Sequence, residues 1–240
     1  MHSHPTPVDL GRRAGDHAGR ILSERLARPG SARVLLAAAP SQLGTLRALA
    51  EVADVDFGRV EFFHMDDYLG LPSDAPQGFA NWLQREFLRH LPQAPVFHRM
   101  QMSLPPVEAA AHYAALLGEA PFDLVLCGLG VNAHIAFNEP GSDFDDPEPV
   151  RLIEMDHASR RQQVDEGHFP HLAAVPTRAL TVTIPRILNA DHVICSVPGA
   201  QKCAAVRATL ELEPTPDVPG TALKLRPGVH LYLDRESDPR

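Results

Sequence analysis

Three short stretches carry side chains of the kind that move protons or bind anions: His64-Met65-Asp66-Asp67-Tyr68, the run from Gly128 to Pro140, and Gly199-Ala200-Gln201-Lys202. Adjacent acids at the end of a strand point to opposite sides. One of Asp66 and Asp67 can therefore enter a cleft while the other braces the following turn. A carboxylate in a cleft can serve as base for a carbon acid, particularly when burial raises its pKa. Turn capping by both acids is the commoner use of such a pair. In the second stretch His134 lies two residues after Asn132 and five before Glu139. A loop can bring either side chain to the imidazole and set its tautomer, giving a proton shuttle. A histidine that only satisfies loop carbonyls fits the same spacing.

The glycines of Gly128-Leu129-Gly130 let a backbone approach a ligand closely. Ala133 stands where a dinucleotide fingerprint needs its third glycine, and the Gly-Lys-Ser/Thr ending of a Walker loop is absent. Lys202 falls in the first turns of a helix opened by Pro198-Gly199, where a helix start and a lysine together favour an anion. A solvated lysine is the commoner fate of a single Lys. Arg160-Arg161-Gln162-Gln163 offers further donors to a phosphate or, equally, an exposed helix face. Cys203 has no His or acid near it in sequence to activate a nucleophile, and no His-x-His or spaced His/Asp set predicts a metal site.

The elements that position these residues follow from periodicity. Helical spacing runs over Val8–Leu26, Ser41–Val52, Gln77–Leu91, Val107–Leu117 and from Pro198-Gly199 to about Leu212. Strand-length apolar runs occur at Arg33–Ala39, Val60–Met65, Phe122–Cys127, Leu180–Ile184, His192–Val197 and Val229–Leu233. Strands alternating with helices imply right-handed βαβ units and a doubly wound, mostly parallel α/β sheet with helices on both faces, a Rossmann-like single domain over residues 1–240. In such sheets ligands bind outside the carboxyl ends of the strands. Ser41-Gln42, Asp66-Asp67 and Gly130–Glu139 all sit at such ends. The first seven or so residues read as a disordered start.

At 240 residues, 44% hydrophobic and 22% charged, the chain has the composition of an average globular protein. A net charge of -8 argues against a nucleic-acid surface. No apolar run is long enough to span a membrane, and nothing at the start resembles a signal peptide. Cys127, Cys195 and Cys203 form no CxxC pair and read as reduced thiols in a cytoplasmic protein.

Phe63 through Pro72 and Gly128 through Pro140 resemble the two signature stretches of the glucosamine-6-phosphate deaminases. Val175-Pro176-Thr177-Arg178-Ala179-Leu180-Thr181-Val182 and Gly199-Ala200-Gln201-Lys202 look like two later segments of that family. The resemblance runs from about Val34 to Leu233. The related 6-phosphogluconolactonases share the fold and a Gly-rich histidine loop but typically lack the Asn138-Glu139-Pro140 ending.

The resemblance implies conversion of a hexosamine 6-phosphate and water to a ketose 6-phosphate and ammonia, with no metal or organic cofactor. By it, Asp66 matches the base that moves a proton between C2 and C1, and His134 the residue that assists ring opening, with Glu139 and Asn132 in support. Lys202 matches a phosphate ligand, and Ser41, Gln42, Gly130, Ala136, Arg161 and Gln163 fall at the substrate-binding positions. Two departures stand out. Asn132 replaces an Asp common in the family, which keeps a hydrogen-bond acceptor for His134 but removes a charge. Ala39-Pro40-Ser41-Gln42 replaces a Thr-Gly-Gly-Thr-like phosphate loop, and Gln163 falls where a phosphate-binding arginine is expected, with Arg160 and Arg161 close by. A lactonase using His134 as base on water, and a non-catalytic phosphosugar sensor, are the competing readings. The family includes different assemblies, so a homo-oligomer is within the range of expectation.

Overall fold

The computed structural model describes residues 1–240. Seven strands form one parallel sheet in the order β1 (His2–His4), β10 (Val229–Asp234), β9 (Ala190–Val197), β6 (Phe122–Cys127), β2 (Ala32–Leu36), β3 (Val60–His64), β5 (Val96–His98). Residues of one strand alternate between two cores, as a pleated sheet covered on both faces requires. Val34, Leu36, Phe62, Leu124, Leu126 and Ile194 join one core, whereas Leu35, Phe63, Val125, Cys127, Val193 and Cys195 join the other. The first is covered by α1 (Pro7–Leu26), α2 (Leu43–Ala50) and α3 (Phe79–Glu86). The second is covered in part by α4 (Pro106–Leu117) and α7 (Cys203–Glu211).

A smaller antiparallel sheet stands apart from the main one. β4 (Asp66–Tyr68) pairs with β8 (Arg178–Val182), which pairs with β7 (Val150–Glu154). The chain leaves the large sheet at Met65, whose amide bonds to the Leu36 carbonyl at 3.0 Å, and enters the small one one residue later. The helix α5 (His157–Asp165) follows β7, and the short helix α6 (Ile184–Leu188) follows β8.

Several elements differ from the expectations of periodicity. His2–His4, expected to be disordered, pairs parallel with Tyr232–Asp234 as an edge strand. The run at Leu180–Ile184, expected as a strand of the parallel sheet, is instead β8 of the small sheet, and Ile184 already begins α6. β7 escapes detection because Arg151, Leu152 and Glu154 are exposed, so no apolar run marks it. The helices expected from Ser41 and from Pro198-Gly199 each open as a 3-10 turn, Pro40–Gln42 and Ala200–Lys202, before α2 and α7 begin. Phe122–Cys127 is a strand with the expected bounds.

Strand order reverses between β2 and β6, because β3 and β5 extend the sheet one way and β9, β10 and β1 the other. That reversal opens a crevice at the carboxyl ends of β2 and β6. The start of α2 borders it, and α2 is set by close packing on α1. A Cβ on Gly15 of α1 would stand 2.5 Å from the Ala48 Cβ and 2.7 Å from the Thr45 carbonyl. Gly15→Val is therefore expected to destabilise the protein by about 1–3 kcal/mol, as overpacked cores do. The check is a lower urea midpoint with an unchanged slope.

Candidate active site

The crevice is lined by the ends of β2 and β6, by Asp66, by the His134 loop, by α5 and by Lys202. Asp66 and Asp67 divide their labour as alternation along a strand allows. The Asp67 carboxylate accepts from the amides of Tyr68 (2.9 Å), Phe79 (3.0 Å) and Ala80 (3.2 Å), capping the start of α3. Asp66 faces the crevice, is 6% exposed, and its carboxyl makes no hydrogen bond to the protein. Burial pushes this carboxyl well above the usual carboxylate range, and the negative charges of Asp67 and Glu139 push the same way.

The Asp66 backbone is fixed from behind by a residue to which the sequence assigns no role. Fully buried His64 donates through Nδ1 to the Asp66 carbonyl at 2.9 Å and accepts the Met100 amide at Nε2, 3.0 Å away. Burial holds its pKa below the ordinary histidine value, so the neutral tautomer with hydrogen on Nδ1 satisfies both bonds.

His134 lies on a loop wound tightly enough to put Ala133 (φ 65°) and Ala136 (φ 53°) in the left-handed region. Its ring packs against Gly130, where a Cβ would come within 2.3 Å of three ring atoms, so only glycine fits. Nδ1 meets the Ser159 hydroxyl at 2.8 Å and Glu139 Oε2 at 3.4 Å. Burial raises the Glu139 pKa, but the hydrogen bonds from His134, Ser159 and Asn132 and the imidazole charge outweigh it and hold the carboxyl below its usual value. Asn132 donates to Glu139 Oε2 at 2.9 Å and accepts the His134 backbone amide at 3.2 Å. The expected acceptor for His134 is thus present, but it serves the main chain, and the imidazole is held by Ser159 and Glu139. One Glu139 oxygen, Oε1, is buried without a partner.

Lys202, at the end of the 3-10 turn after β9, is 3% exposed, and its side-chain ammonium hydrogen-bonds to nothing in the protein. Burial lowers its pKa, with Glu166, which lines the same crevice, acting in the opposite direction. Ser41 lines the crevice beside the start of α2.

The sequence of this chain matches the family described as "Glucosamine-6-phosphate isomerases/6-phosphogluconolactonase" over residues 5–231. The chain belongs to that family. Among curated members it is 31% identical to a glucosamine-6-phosphate deaminase of Streptococcus sanguinis (strain SK36), over 93% of this chain and 92% of the relative. It is 30% identical to one of Streptococcus pneumoniae (serotype 4, TIGR4), over 93% of each chain. A solved structure of a monomeric glucosamine-6-phosphate deaminase superposes with a TM-score of 0.87 at 28% identity, covering 99% of this chain and 98% of that one. A 6-phosphogluconolactonase of Shewanella baltica OS155 shares the fold, with a TM-score of 0.81 at 18% identity over 97% and 96% of the two chains.

Of the positions that the family resemblance singled out, Asp66, His134, Ser41, Gln42, Gly130, Ala136, Gln163 and Lys202 line one crevice, with Glu139 and Asn132 bonded behind His134. Two expectations at the phosphate end are corrected. Arg161 points away from the crevice, exposed and paired with Asp165 at 3.3 Å, because the inward face of α5 is taken by its neighbours. Arg160 is also spoken for, donating to the carbonyls of Leu172 and Val175. Gln42 reaches the crevice wall, but its amide nitrogen is tied to the Ser196 carbonyl at 3.0 Å. Gln163 accepts the Tyr68 hydroxyl at 2.5 Å. Sequence reasoning missed Ser159 and Glu166. Their signal is the polar set Ser159, Gln162, Gln163, Glu166 at i, i+3, i+4, i+7, a single helix face.

The perturbed Asp66 carboxyl has a stability consequence. Its folded pKa is raised, so its contribution to stability is present below the unfolded carboxylate pKa of about 4 and is lost as pH rises. Asp66→Asn is expected to be more stable than the parent, by a margin that widens from pH 4 to pH 8. Urea unfolding at the two pH values checks this, and an unchanged margin would contradict the burial argument.

Proposed function

We propose that the protein interconverts a hexosamine 6-phosphate and a ketose 6-phosphate with release of ammonia. The observation that carries this reading is the buried carboxyl of Asp66, unpaired and facing the same crevice as the His134–Glu139 pair and the unpartnered ammonium of Lys202. A base for a carbon acid, a proton shuttle and an anion anchor thus share one site, and curated relatives carrying the deaminase name cover most of the chain.

In the proposed sequence Lys202 and the Ser41 turn hold the substrate phosphate at the start of α2. His134, oriented by Ser159 and Glu139, takes the proton of the anomeric hydroxyl and passes it to the ring oxygen, opening the sugar. Glu139 stabilises the imidazolium formed in between, as a buried acid beside a catalytic histidine does. Asp66 then removes the C2 proton while the C1 carbonyl oxygen takes one from water, giving an enolamine and hydroxide. Return of the proton from Asp66 to C1 yields the C2 iminium, to which the hydroxide adds, and the carbinolamine collapses to the ketone as ammonia departs. A raised carboxyl pKa makes Asp66 a stronger base for this transfer than an ordinary surface acid.

Purified protein given glucosamine 6-phosphate or galactosamine 6-phosphate is expected to release ammonia and a ketose 6-phosphate. 6-Phosphogluconolactone, run beside them, is expected to hydrolyse at the uncatalysed rate, and lactone turnover without ammonia release would replace the proposal with a hydrolase. Asp66→Asn is expected to lower kcat by roughly 10²–10⁴-fold with sugar-phosphate binding retained. Near-normal turnover in that variant would remove Asp66 from the base role.

A further inference from the structure

The phosphate end of the crevice carries an unusual charge balance. A phosphate monoester is a dianion once its second proton has left, near pH 6. Sites for such dianions are ordinarily built from several cations or forked arginines. Here Lys202 is the one cationic side chain lining the crevice, the Arg160 and Arg161 guanidiniums are committed elsewhere, and a carboxylate, Glu166, lines the same crevice.

α5 fixes where Glu166 stands. Ser159, at the His134 end, and Glu166, just past the last turn, are seven residues apart on one helix face. At 1.5 Å per residue that is about 10 Å along the axis. Glu166 therefore lies at the end of the crevice remote from His134, near enough to Lys202 to raise its pKa against burial. One carboxylate oxygen, Oε1, accepts the Gln162 amide at 2.7 Å, and Gln162 in turn accepts the Val131 amide at 3.2 Å, which locks the side chain in place. The other, Oε2, accepts no hydrogen bond from the protein; the His168 ring nitrogen stands 3.7 Å away, beyond hydrogen-bond length. A locked acceptor with spare capacity, sharing the crevice with a buried unpartnered ammonium, suits a ligand that brings one negative charge and one proton.

We infer that Glu166 is a specificity-determining residue that selects the protonated monoanion of the substrate phosphate, accepting its P–OH proton in a hydrogen bond while Lys202 pairs with the anionic oxygen. This rests on the reading of the crevice as a phosphosugar site. It does not require that the sugar be turned over. The titratable and charged groups around Glu166 are Lys202 at the start of α7, His168 after α5, Arg85 of α3 beyond His168, and Tyr68 and Asp66 of β4. Of these, Lys202 alone presents a cation to the phosphate. Loss of its proton at high pH weakens binding with or without Glu166, so the ratio of a Glu166 variant to the parent isolates the carboxylate.

The test is calorimetric binding of a reduced, non-reacting hexosaminitol 6-phosphate to the parent and to Glu166→Gln at pH 6 and pH 8. Glutamine keeps the Oε1 acceptor for Gln162 and removes the charge. The monoanion fraction of the ester falls about 50-fold over that interval. The two proteins are expected to bind equally at pH 6; the parent Kd is then expected to rise by about that factor and that of the variant by tenfold less, so that at pH 8 the variant binds about tenfold more tightly. Inorganic sulfate, which carries no proton at either pH, is expected to compete in the variant and not in the parent. An equal pH dependence in the two proteins, weaker binding by the variant at pH 8, sulfate competition in the parent, or no binding by either would each overturn the inference. If binding behaves as expected but no ammonia is released from either hexosamine phosphate, charge selection by Glu166 stands and the deaminase reading falls.

Discussion

Everything in the crevice is arranged around one carboxyl group that the protein leaves without a partner. Asp66 stands where the chain steps from the seven-stranded sheet into the small antiparallel one, and that step lets a side chain be buried while still opening on a cavity. An unpaired buried acid is costly, so the surroundings are built to hold it still. Asp67 caps α3, His64 grips the Asp66 carbonyl, and the Met65 amide remains bonded to β2. The rigidity comes from backbone contacts and leaves the carboxyl itself free.

The same economy governs the histidine. Its ring lies over a glycine, with Ser159 and Glu139 sharing one nitrogen, and the neutral Asn132 ties the loop to the glutamate. Where an aspartate would add a second charge beside the imidazole, this chain places a hydroxyl contributed by a different element. The position of the His134 ring thus depends on the docking of α5 against the loop, and β7, which leads into α5, becomes part of the site's support.

Much of this was legible in the sequence, for definite reasons. Buried parallel strands are short apolar runs, so Phe122–Cys127 and its neighbours stand out, and the family signatures fall at their carboxyl ends. The division of labour between Asp66 and Asp67 followed from alternation, although alternation could not say which acid turned inward. What escaped was whatever depended on partners distant in the chain. β1 and β5 are three residues each and exist only through pairing, β7 is exposed along most of its length, and Ser159 meets His134 only because α5 folds back over the loop. Arg161 looked suited to a phosphate because its chemistry was right. A helix has an inside and an outside, and residue type does not reveal which side a position falls on.

The seven-residue interval along α5 also acts as a ruler. A hydrogen-bonded helix can be neither stretched nor compressed without breaking its own backbone bonds, so the separation between the proton-transfer end and the anchoring end is built into the pitch. On the proposed reading, the crevice then measures the length of a carbon chain as well as its charge. On the proposed reading, a sugar phosphate held beside Glu166 brings its anomeric end to the His134 that Ser159 orients only when its length matches that interval. No side chain need recognise the missing or extra carbon, because the discrimination resides in a rigid rod of backbone.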